Sequence, residues 1–268
     1  MARSTGRAPG SLRGVLLVVE HHWTWYRRNW RATVVSSILQ PLLFLLAFGV
    51  GFGALVGGQA EAATGGIDYL VWLAPALLAV SAVQTAAFES SYPVLSGFKW
   101  QRIYHGIAAG PVSPAQVALG HLVWIAVKTA GSGLVYIGVI AVFGGVTSPG
   151  ILVSLLAAVL AGSAVAAPVT AFSATLESEG AAFSVLFRFV VIPMTLFSGT
   201  FFPVDRLPVW VRPAAWVSPL WHGTALARAA ALDRWQPLAA LGYTAYLLAL
   251  LALGVVLAAR QFTRRLQP

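Results

Sequence analysis

The stretch YLVWLAPALLAVSAVQTAAF, Tyr69 to Phe88, carries no charged side chain, and its flanks are the acids Asp68 and Glu89. Coiled as a helix at about 1.5 Å per residue, it reaches about 30 Å, the thickness of a bilayer's hydrocarbon core. Five further runs read the same way: Val34 to Val56, Val117 to Phe143, Ile151 to Thr175, Ala181 to Ser198 and Leu238 to Ala259. The expectation is an all-α polytopic membrane protein with six transmembrane helices. Ala60-Glu61-Ala62 resembles a signal-peptide cleavage site, but the run before it is too long and too far from Met1 to be a leader.

Composition agrees. Of 268 residues, 58% are hydrophobic and 9% charged, where soluble domains carry about 25% charged. The chain has no cysteine, which excludes disulfides and thiolate metal sites. The net charge of +9 speaks to loop orientation at an anionic leaflet, with nothing that points to nucleic acid.

Arginine and lysine set the orientation. Arg3, Arg7, Arg13, Arg27, Arg28 and Arg31 precede the first run, Lys99 and Arg102 follow the second, and Arg260, Arg264 and Arg265 end the chain. With six spans all of these fall on one side, so both termini are expected in the cytoplasm of a cell whose plasma membrane holds the protein. Residues 199–237 strain the rule, holding Arg206, Arg212, Arg228 and Arg234 on the supposed outer side. That segment interleaves Phe201, Phe202, Trp210, Trp216, Trp221 and Trp235 with Pro203, Pro208, Pro213 and Pro219. Short helices dipping into the outer leaflet fit this pattern. Before the first run, Val15 to Arg31 mixes Trp23, Trp25 and Trp30 with basic residues, the mark of an interfacial helix. The expected division is an N-terminal segment, 1–33, a membrane domain, 34–259, and a basic tail, 260–268.

Catalytic machinery is not in evidence. No HExxH, GxSxG or P-loop occurs, since Phe98 precedes Lys99 and Val127 precedes Lys128, and the histidines lack metal-ligand spacing. No catalytic or metal-binding residue is assigned, and energy from ATP has to come through a partner. Residues 89–116 contain the cluster Lys99-Trp100-Gln101-Arg102-Ile103-Tyr104-His105, which reads either as a docking knob or as a basic element that only sets topology. In the third run His121, Trp124, Lys128 and Ser132 share a helix face with Tyr136. Lys128 lies about 16 Å inside that run, where an unpaired ammonium costs roughly 2.5 to 3.5 kcal/mol. It is expected to face a hydrated cavity, an anionic ligand or a neighbouring subunit, unless the helix starts earlier. These residues form a candidate translocation path. Small residues Ala157, Ala161, Gly162, Ala166 and Ala167 suit close helix packing in the fourth run.

Two stretches carry a family resemblance over essentially the whole chain. Tyr69 to Trp124 resembles the permeases of nodulation lipo-oligosaccharide exporters, and FFPVDRLPVWVRPAAWVSPLWHGTALARAAAL, Phe201 to Leu232, is similar to the signature of the wider ABC-2 exporter superfamily, drug exporters included. The resemblance implies an N-terminal connecting helix in the interface, a coupling helix after the second span and re-entrant helices before the sixth. It places Lys99, Trp100, Gln101, Arg102, Tyr104 and His105 in the coupling region. Glu177 and Glu179 either form a second contact or cap the following helix. The implied partners are two copies of a separate ATPase holding ATP and magnesium, a second permease copy and membrane lipids, with no cofactor on this chain. An amphipathic lipid-linked saccharide is the expected cargo; a drug exporter, a non-transporting scaffold and a proton-coupled carrier are the alternatives, the last disfavoured by the scarcity of mid-membrane carboxylates.

Overall fold

The computed structural model describes residues 10–44, 46–47, 51, 65–177 and 181–267. Most of the latter half of the expected first span, and Glu61 and Glu179, lie outside them. Among the described residues every regular element is helical: α1 (Ser11–Phe44), α2 (Tyr69–Glu89), α3 (Tyr92–Lys99), α4 (Ile103–Ala108), α5 (Pro114–Val142), α6 (Ile151–Thr175), α7 (Ala181–Phe197), α8 (Arg212–Val217), α9 (Pro219–Ala231) and α10 (Pro237–Leu266).

Four of these, α2, α5, α6 and α10, are long and apolar enough to cross a membrane, and α7 is a shorter apolar helix. The bounds of α2, α5, α6 and α7 fall within about three residues of the hydropathy runs, while α10 continues to Leu266, past the expected end at Ala259. The Asp68 carboxylate accepts from the backbone N–H of Leu70 at 2.9 Å and of Val71 at 3.2 Å, which starts α2. Ser113 and Gln116 form a reciprocal capping box at the start of α5. Proline occupies the first turn of α5, α8, α9 and α10, where a missing N–H costs nothing.

The chain expected to divide into an interfacial helix and a separate first span is instead one unbroken helix from Ser11 to Phe44. Residues 14–26 do not cross the spans. They run beside α5 in the same direction, with Gly14 against Gln116, Val18 against Gly120 and His22 against Trp124. Gly120 makes this possible, because a Cβ there meets Val18 at 2.5 Å. Tryptophans 23, 25 and 30 stay on the exposed side of α1, as an interfacial stripe requires.

α6 is the central post, packed by α2, α5, α9 and α10. Lipid supplies no hydrophobic drive between helices, so close approach of small side chains carries the packing. Ala158, Ala161, Ala164, Ala166 and Ala167 are buried. Pro168 stands inside α6, where it offers no N–H to the ladder, and α10 approaches it through Gly254, where a Cβ meets the Pro168 nitrogen at 2.6 Å. α9 runs antiparallel to the first turns of α6: Gly223 faces Ala161, Ser154 Oγ donates to the Ala227 carbonyl at 2.6 Å, and Gly150 lies against the Ala230 carbonyl. The bundle therefore has two ends. One carries α3 and α4, with the coupling cluster; the other carries the start of α2 and the segment 199–237.

Candidate functional site

The end that carries α3 and α4 is built on a proline. Pro93 stands at the second position of α3 and has no N–H, so the Glu89 carbonyl lacks its helical donor and α2 stops. His121 of α5 fills the gap, with Nε2 at 3.3 Å from the Glu89 carbonyl oxygen. An imidazole that donates from Nε2 keeps its Nδ1 as an acceptor. The Tyr104 hydroxyl donates to that Nδ1 at 3.3 Å, and His22 Nε2 of α1 lies at the same distance. One histidine thereby joins α1, α2, α4 and α5.

Two turns further along α5, Glu89 meets a second group. Lys128 Nζ donates to Glu89 Oε1 at 2.6 Å, with the two side chains 12% and 14% exposed. The ammonium also stands 5.8 Å from the Tyr26 ring centroid. The expectation of an unpaired lysine at mid-bilayer is thus corrected. α5 begins well before the level at which α2 ends, so Lys128, about 21 Å from Pro114, sits beside the last residue of α2.

Of the four residues proposed from sequence as a translocation path, Lys128 is paired with Glu89. His121 and Trp124 are buried under α1, with Trp124 stacked on His22 at 5.8 Å, and Ser132 is half-buried. The face is real, but a neighbouring helix covers it.

The cluster at residues 99–105 divides into a base and a tip. Tyr104 is buried at 2% exposure, packed against Phe98 and Phe262, which removes it from any docking surface. Gly97 makes room for its ring, at a distance where a Cβ meets Cε2 at 2.5 Å. His105 is half-buried, and burial together with Arg102 and Arg265 pushes its imidazole pKa below the ordinary value. Lys99, Trp100, Gln101 and Arg102 are exposed at the turn between α3 and α4, with Trp100 51% exposed. Arg102 holds a left-handed conformation, φ 52° and ψ 24°, which a non-glycine residue adopts only when its surroundings enforce it. Glu177 is exposed just past the end of α6, at the same end of the bundle.

At the opposite end the central residue is Arg228 of α9. Its Nε donates to the Trp72 carbonyl at 3.1 Å, and its two terminal nitrogens donate to the Gly199 carbonyl at 2.6 Å and the Thr200 carbonyl at 2.7 Å. The guanidinium lies on the Trp72 ring, 3.3 Å from its centroid. One side chain fastens α9 to the start of α2 and to the turn after α7. In the sequence Arg228 was visible only as a breach of the charge rule; a cation resting on carbonyl oxygens explains the breach.

Residues 14–232 match the ABC-2 type transporter family. The chain belongs to that family. Within it, the permease is 30% identical over 223 residues to nodulation protein J of Sinorhizobium fredii, covering 79% of this chain and 82% of that protein. It is 32% identical over 220 residues to nodulation protein J of Rhizobium meliloti, covering 75% and 78%. The corresponding protein of Rhizobium leguminosarum bv. trifolii is 32% identical over 212 residues, 76% and 78% of the two chains. Membership makes the chain a membrane transport subunit, and the polar junction at His121 and the exposed tip at Trp100 are parts of that permease.

Proposed function

We propose that this permease moves an amphipathic, lipid-linked saccharide out of the cytoplasm, powered by two copies of a separate ATPase and working as a pair of permease copies. The observation that carries the reading is the division of the α3–α4 turn. A basic and aromatic tip of Lys99, Trp100, Gln101 and Arg102 stands exposed on a base whose Tyr104 reaches His121 in the bundle. Force applied to the tip by a closing ATPase passes through Tyr104 to α5 and, through Glu89, to α2. The short, strained turn at Arg102 makes the tip a stiff handle. Glu177 adds an acidic contact at the same end.

Arg13 near the start of α1, Lys99 and Arg102 of the α3–α4 turn and the basic tail of α10 lie at this end, which the charge rule assigns to the cytoplasm of a plasma-membrane protein. The resemblance of Tyr69 to Trp124 to nodulation exporters, and the nodulation names of the relatives, favour a saccharide-bearing lipid over a drug. The burial of Lys128 against Glu89 removes the argument that an unpaired cation distinguishes a transporter from a scaffold. The distinction rests instead on the exposed tip.

Charge reversal at both Lys99 and Arg102, to Glu, tests the reading in a purified complex with the ATPase. Stimulation of ATP hydrolysis by the permease is expected to fall at least tenfold while membrane insertion is retained. Unchanged stimulation removes the docking role.

A further inference from the structure

Two cavities meet at the end of the bundle that carries Arg228. One, of about 260 Å³, is lined by Trp72, Arg228, Arg234, Gln236 and Tyr243 among others. The other, of about 410 Å³, is lined by Leu156, Leu160, Trp235 and Leu241 with other mostly apolar residues. They share Leu226 of α9 and Ala240 of α10 as a common wall. A largely apolar pocket that holds two arginines thus adjoins an apolar groove on the flank of α6.

The charges in the pocket are not cancelled. Arg228 is held by three carbonyls, which use three of the five guanidinium N–H donors and bring dipoles but no counter-charge. Among the described residues neither Arg228 nor Arg234 makes an ion pair with a carboxylate. Asp233 is next to Arg234 in sequence, yet its backbone turns through φ 51° and its side chain forms no ion pair with that arginine. A guanidinium with free donors beside a second cation suits the oxygens of a phosphate, which accept in a forked geometry. The adjoining groove suits an acyl chain.

We infer that these two cavities form one binding site for an anionic phospholipid, with the phosphate at Arg228 and Arg234 and a chain in the groove beside Leu156, Leu160 and Leu241. The site depends on the protein being embedded in a membrane and not on ATP-driven export, so it is measured without the ATPase. Apolar burial in the groove supplies affinity, and the two arginines supply the preference for an anionic headgroup.

The test is native mass spectrometry of the full chain in detergent, titrated with dioleoyl phosphatidylglycerol or dioleoyl phosphatidylcholine. The wild type is expected to hold phosphatidylglycerol at least fivefold more than phosphatidylcholine. Arg234→Gln, an exposed change that leaves the carbonyl cage intact, is expected to cut that preference at least threefold. Arg228→Gln abolishes it if the variant folds, while Arg188→Gln, an exposed arginine on α7, retains it. Equal binding of the two lipids, a preference that survives Arg234→Gln, or a preference lost equally in Arg188→Gln overturns the assignment. Displacement of phosphatidylglycerol by millimolar inorganic phosphate overturns it in favour of a soluble-anion site.

Discussion

Lys128 and Glu89 show what a single pair decides. A lone ammonium among apolar helices is costly, whereas a salt bridge 2.6 Å long, buried and flanked by the Tyr26 ring, is self-contained. Removing one partner leaves the other charge buried alone. Lys128→Leu is therefore expected to destabilise the permease by roughly 3 kcal/mol, read as an earlier thermal transition in detergent. The double variant Glu89→Gln with Lys128→Leu is expected to recover most of the loss. If the double variant is as unstable as the single one, the pair is not what holds α2 to α5 at this point. The lysine was legible in the sequence, and so was the acid at the end of the second run. Their meeting was not, because hydropathy measures depth within each run separately and cannot show that α5 begins far beyond the end of α2. Arg228 was hidden for a related reason: its partners are backbone carbonyls, which have no signature in the sequence.

Helices in this permease are set by where charge stops and proline begins, which is why the boundaries of α2, α5, α6 and α7 and the start of α10 could be read within about three residues; α10 then runs past Ala259 to Leu266, through basic residues that hydropathy excludes. Which faces meet is decided by small residues, and those were less legible, since a glycine facing a neighbour and a glycine facing lipid look alike. Gly254 and Gly242 both stand in α10. At Gly254 a Cβ meets the Pro168 nitrogen at 2.6 Å, and at Gly242 it meets nothing within 4 Å. Gly254→Ala is expected to push α10 off α6 at Pro168 and to cost about 1 to 3 kcal/mol. Gly242→Ala is expected to be neutral, or stabilising by up to about 1 kcal/mol through helix propensity. Thermal melts of the two variants in the same detergent decide the matter, and equal effects refute the contact. The continuity of α1 was missed at this scale too. A tryptophan and arginine stripe reads as an interfacial helix whether or not the next span continues it, and only Gly14, Gly120 and His22 reveal the partner along α5.

Taken whole, the permease is a bundle whose ends differ in chemistry. The coupling end gathers basic residues, a histidine junction and an exposed tryptophan tip; the opposite end gathers prolines, exposed Trp210 and Trp216, and two arginines at a cavity. Such asymmetry has a direct consequence for orientation, because arginine and lysine resist translocation while tryptophan and proline do not. The absence of native cysteine lets one introduced thiol report its own side of the membrane. Trp100→Cys and Trp210→Cys replace exposed side chains at the two ends, with exposures of 51% and 82%. In intact cells a membrane-impermeant maleimide is expected to label Trp210→Cys fully. Trp100→Cys is expected to react only after the membrane is permeabilised, and then to lose reactivity when the ATPase partner is co-expressed. Labelling of both positions from outside refutes the assigned orientation, whereas protection of neither position by the ATPase leaves the orientation standing and refutes the docking surface. The two ideas that define this permease as a coupled machine are thereby separated in one experiment.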